Sequence, residues 1–97
     1  MPEDRKIGRQ FIRSRTTRVF TAKSPCLVHI WCGDYVDSND IPATDVFWEL
    51  EKDKCSLAEG VPLPLATTIP VALAEGESIW AVTEDVALVG WSVVEDL

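Results

Sequence analysis

From residue 18 onward, turn-forming residues interrupt this chain about every 8–12 positions, and most of the intervals between them are short runs of branched and aromatic side chains. That rhythm constrains the fold more than any other feature. The runs are Arg18–Ala22, Cys26–Cys32, Val46–Leu50, Cys55–Leu57, Gly60–Leu65, Ile69–Leu73, Ser78–Thr83 and Val86–Val94. Gly60–Leu65 holds two prolines and reads as an edge or a crossing segment, and Ile69–Leu73 holds one and reads as an edge strand, because proline has no N–H for a ladder. The last run is apolar on both alternating faces and reads as a central strand. An α/β fold needs helices of about a dozen residues between strands, and no interval has room for one. The expectation is an all-β domain: a small antiparallel β-sandwich or barrel of about seven short strands.

Ninety-seven residues support one domain. Its charge is split. Residues 1–23 carry seven basic and two acidic groups, a net of +5, and residues 24–97 carry two basic and fourteen acidic groups, a net of −12, giving −7 for the whole. An acidic body repels phosphates, which argues against nucleic acid as a partner. No apolar run is long enough to span a bilayer.

Residues 1–17 hold three scattered large hydrophobes, Ile7, Phe11 and Ile12, too few to stabilise the segment alone. A short helix would set Arg5, Arg9 and Arg13 on one face and Ile7 and Phe11 on another. The expected division is therefore an extended basic N-terminal arm, 1–17, and a β-sandwich body, 18–97. Arg5, Arg9, Phe11, Ile12, Arg13, Arg15 and Arg18 are the candidate partner-binding residues of the arm. The target expected is an acidic protein surface, including that of another copy, for which Asp34, Asp37, Asp40 and Asp45 form a candidate acidic partner surface. An Arg-rich leader with Ser14, Thr16 and Thr17 is the other reading of the segment.

Chemistry-bearing patterns are few. Cys26, His29 and Cys32 have the look of a metal set with Cys55, but a strand places Cys26 and Cys32 about 20 Å apart and points His29 to the opposite face. Small buried hydrophobes are the better reading of the cysteines, with a disulfide from Cys55 to Cys26 or Cys32 the lesser one. The aspartates of 34–45 lack the order of a calcium-binding EF-hand loop. No nucleophile elbow or phosphate-binding glycine loop is present, so neither a catalytic residue nor a cofactor is expected. Trp31, Trp48, Trp80 and Trp91 all fall in predicted strands and read first as core, and second, where exposed, as a sugar platform or interface anchors. Gly90, inside the last strand, marks a bulge or the close approach of another backbone.

The second half carries a resemblance. Gly60-Val61-Pro62-Leu63, then Val71-Ala72-Leu73, then Gly76-Glu77-Ser78-Ile79-Trp80-Ala81-Val82, then Trp91-Ser92-Val93-Val94-Glu95 follow one another as turn and strand signatures over residues 55–97. This resembles small β-sandwich structural proteins of tailed bacteriophages, which decorate heads or contribute to necks and tails. The resemblance implies a noncatalytic capsid cement or decoration protein on the capsid exterior of the virion, multicopy in a symmetric shell or homo-oligomeric, with the major capsid protein or other virion subunits as partners and no membrane. The alternative it leaves open is a tail, neck or fibre accessory module that binds a host glycan or another virion protein.

Overall fold

The computed structural model describes residues 7–32, 46–64, 67–84 and 86–97. They form eight strands: β1 (Ile7–Ile12), β2 (Thr17–Thr21), β3 (Cys26–Cys32), β4 (Val46–Glu49), β5 (Val61–Leu63), β6 (Thr68–Leu73), β7 (Ser78–Thr83) and β8 (Ala87–Asp96). One short 3-10 turn, Lys52–Lys54, interrupts the β4–β5 connection. Two four-stranded antiparallel sheets result, in the orders β1-β8-β3-β6 and β2-β7-β4-β5. The all-β sandwich expected from the sequence is the observed architecture.

The core lies between the sheets. β3 alternates perfectly, with Cys26, Val28, Ile30 and Cys32 buried and Leu27, His29 and Trp31 half-buried on the outer side. Val89 and Trp91 of β8 join them from the same sheet, and Val46, Ile79 and Ala81 face them from the other. Phe20 of β2 meets Trp91 across the sandwich, ring centroids 4.5 Å apart. A bulge at Val19 shifts the β2–β7 register between Arg18 and Phe20, so that Val19 and Phe20 both reach the interior. At the β6–β7 turn, Gly76 adopts φ +87°, and its N–H donates to the Ala22 carbonyl at 2.8 Å.

The N-terminal boundary differs from expectation. Residues 7–17 are built into the sandwich. β1 pairs along its whole length with β8, Ile7 opposite Ser92 through Ile12 opposite Ala87. Ile12 is completely buried in the core. The corner that follows is pinned as well: the Thr83 N–H donates to the Arg13 carbonyl at 2.9 Å, and the Thr16 hydroxyl to the Cys55 carbonyl at 2.9 Å. Residues 7–17, expected as part of the arm, are therefore a strand and a corner of the body, and residues 1–6 of that arm lie outside the described residues. The physical reason is that β8 has an unpaired edge whose backbone groups need partners, and six residues with one Ile in the right place supply them. Cys55–Leu57, expected as a strand, is a turn instead: the Gly60 N–H donates to the Ser56 carbonyl and the Glu59 N–H to the Ser56 hydroxyl.

Candidate docking surface

The two sheets treat their outer faces differently. The outer face of the second sheet is covered by its own chain. Phe47 and Val82 pair there, and the 50–60 segment folds over them. Gly60 comes so close that a Cβ would collide with the Cβ of Phe47. Cys55 is buried beneath the segment, its thiol donating to the Phe47 carbonyl at 3.7 Å. That burial, together with the negative charge of Glu49, pushes the Cys55 thiol up to about 11. Further along the same face, Trp80 is flanked by two cations, the Arg18 guanidinium 5.1 Å and the Lys52 ammonium 5.5 Å from its ring centroid.

No described segment covers the outer face of the first sheet. Strand register assembles it row by row. Phe11 lies opposite Leu88; Arg9 opposite Gly90, which faces Trp31 and then Thr68; Ile7 opposite Ser92, which faces His29 and then Pro70; Leu27 lies between Glu95 and Ala72. Ile7 and Phe11 are about 60 % exposed (59 % and 60 %). Trp31 is seated flat enough on Gly90 that a Cβ there would collide with the indole. Gly90 therefore marks the close approach of a side chain, where a bulge or a backbone was expected. Its absent side chain lets an aromatic ring lie on the sheet. The result is a group of hydrophobes, Ile7, Phe11, Leu88 and Trp31, around the Arg9 guanidinium, with Ser92, His29, Thr68 and Glu95 on the rest of the face.

The residues expected to form a binding arm have divided. Arg9 and Phe11 lie on this face. Ile12, expected as a partner anchor, points inward and is corrected to a core residue, because strand alternation sends it to the side opposite Phe11. Arg13 and Arg15 are exposed at the β1–β2 corner, and Arg18 is on the far sheet over Trp80. Arg5, Asp34, Asp37, Asp40 and Asp45 lie outside the described residues, which leave only the anchors of the aspartate-rich connection, Cys32 and Val46.

Cys26 and Cys32 face the core and His29 the outside, so these three do not converge. Cys55 lies on the outer side of the second sheet, away from both, and neither pairing considered from the sequence is formed. Burial raises the Cys32 thiol too. Among the described residues no three His, Cys, Asp or Glu side chains come together as metal ligands, and no helix is long and apolar enough to cross a membrane. What sequence reasoning missed is the gathering of Trp31 and Leu88 with Phe11 on one face. The alternation of β3 signals Trp31, but the pairing of β1 with β8 has no local signal. No family model, curated protein or solved structure matches this chain.

Proposed function

We propose that this chain is a noncatalytic structural protein of a tailed-phage virion that docks on a capsid subunit through the outer face of the β1-β8-β3-β6 sheet and cements the head from its exterior. One observation carries the reading: of the two sheet faces that point away from the core, one is covered by the chain's own 50–60 segment and the other presents Ile7, Phe11, Leu88 and Trp31 around Arg9. Exposed aromatic and aliphatic side chains beside one guanidinium suit a protein interface, where a few such anchors carry most of the binding energy. The phage-like strand pattern of residues 55–97 supplies the virion context. Modest contacts suffice for such a role because copies on a lattice act together.

The test uses point variants of the full chain, since removing residues 1–17 would delete a strand of the body. Shells assembled from the major capsid protein of the same genome are mixed with the protein and sedimented. The wild type co-sediments, and Phe11→Asp with Ile7→Asp does not. Shell binding by that double variant would refute the surface. A second reading rests on Trp31, whose ring seated over Gly90 offers an aromatic platform of the kind that stacks on sugars. Glycan-array binding that disappears in Trp31→Ala, without any shell binding, would select the tail, neck or fibre accessory role.

A further inference from the structure

A two-sheet sandwich has four edge strands, and among the described residues one of them is left open. β5 is three residues long and contains Pro62; β6 contains Pro70. Proline offers no N–H to a further strand, so both edges are guarded. β2 is bent by its bulge at Val19 and carries Arg18 beside the bend. β1 alone is regular: six residues in unbroken register with β8, no proline, no bulge, and a single charge, Arg9. Such an edge is a ready template for another strand.

We infer that β1 is a homodimerisation edge, at which two copies of this chain pair β1 against β1, antiparallel, about a two-fold axis at Gln10. The occupant follows from the segment's self-complementarity. Residues directly opposite one another in an antiparallel pair lie on the same face, so the axis must pass at a residue and not between two. An axis at Arg9 would set the two guanidinium groups against each other, which disfavours it. Axes nearer the strand ends pair fewer residues. The axis at Gln10 sets Gln10 against Gln10, whose amides are each both donor and acceptor. It sets Gly8 against Ile12 of the second copy, and places each Arg9 opposite a Phe11 of the other, a cation beside an aromatic ring. Gln10 itself is exposed, at an edge position whose β8 partner, Val89, belongs to the core. A polar amide there is out of keeping with the core and in keeping with a partner across the edge.

The pairing joins two four-stranded sheets into one of eight strands. Its two-fold axis stands perpendicular to the sheet, so both outer faces point to the same side. Ile7 and Phe11 of the two copies then merge into one continuous patch. The dimer stands on the edge alone and does not require the virion reading.

Sedimentation velocity of the full chain over a concentration series, with oxidative cross-linking of single-cysteine additions, tests it. The wild type is expected to show a reversible monomer–dimer equilibrium. Gln10→Lys sets two ammonium groups against each other and should raise the half-dimer concentration about fivefold or more, with far-UV circular dichroism unchanged. Gln10→Cys should form a disulfide-linked dimer under mild oxidation, while Ala72→Cys, exposed on the guarded β6 edge, stays monomeric. The Ala72→Cys variant retains the three native cysteines and so reports their background. If Gln10→Lys does not fold, the Gln10→Cys cross-link decides. A strictly monomeric wild type overturns the inference, as does a dimer that neither responds to Gln10→Lys nor is captured through Gln10→Cys.

Discussion

Replacing Ile12 with Ala, beside a matched replacement of Phe11, tests whether the N-terminal segment belongs to the body. Ile12 is wholly buried between the sheets, and Phe11, its immediate neighbour, is 60 % exposed. Ile12→Ala removes three carbons. At about 0.8 kcal/mol each, the lost transfer energy is about 2.4 kcal/mol. The incompletely collapsed cavity adds about 1 kcal/mol, for a total of about 3–4 kcal/mol. A domain of this size has a total stability of roughly 5–15 kcal/mol, so the loss is a large fraction of it. Phe11→Ala removes a larger side chain that is mostly in water already and should cost under about 1 kcal/mol. Urea unfolding followed by tryptophan fluorescence reads both, with four indoles as reporters. The expected outcome is a large drop in midpoint for Ile12→Ala at unchanged slope, and a small one for Phe11→Ala. Equal costs, or a cost below about 0.5 kcal/mol for Ile12→Ala, would return residues 7–12 to a detached arm and refute the reasoning.

Three further outcomes follow from the same contacts. Gly90→Ala should unseat the Trp31 indole, costing about 1–3 kcal/mol and changing its near-UV circular dichroism, because a Cβ at residue 90 has nowhere to go but into that ring. Thr16→Val should cost about 1 kcal/mol in urea unfolding by deleting the hydroxyl bond that ties the β1–β2 corner to the Cys55 carbonyl. The Cys55 thiol is held up to about 11 in the fold against an ordinary value of 9.0, so the folded state retains the proton longer; its contribution is complete below about pH 9 and is lost as pH rises through 11. Wild-type stability should therefore fall more steeply over that interval than that of Cys55→Ala, and alkylation of Cys55 at pH 8 should require unfolding.

The strands with a strong local pattern were legible. Cys26–Cys32 and Ser78–Thr83 are legible to the residue because their own branched and aromatic side chains and flanking turns define them. The prolines at 62 and 70 identified the edges for a reason that needs no tertiary knowledge. β1 was not legible. Ile-Gly-Arg-Gln-Phe-Ile has weak strand propensity, its apolar residues fall at spacings of four and one, and Gly8 lacks a side chain altogether. Its strand character comes from β8, whose Trp91 ring fills the space over Gly8 and whose edge supplies the hydrogen bonds. The same tertiary dependence hid the docking surface. Phe11, Leu88 and Trp31 are far apart in sequence and come to one face only through the β1-β8-β3 order. Residues 50–60 gave the opposite error, since Cys55 looked like strand interior and is buried by a turn folded over Phe47.

Face and edge are adjacent on this molecule, and Phe11 belongs to both, so a Phe11 variant that loses shell binding does not say which was needed. Leu88 and Gln10 separate them. Leu88 lies on the outer face of β8, directly opposite Phe11. Leu88→Lys puts a charge into the middle of the face and leaves the β1 edge untouched. Gln10→Lys does the reverse. Should the face bind and the edge only double it, Leu88→Lys abolishes shell binding and remains dimeric. Gln10→Lys becomes monomeric and still binds, with an apparent affinity lowered by the lost bivalency, an effect on the order of a hundredfold when both sites are reached together. Abolished binding in Gln10→Lys alone would mean that the shell adds its own strand to β1, and the outer face would then be incidental.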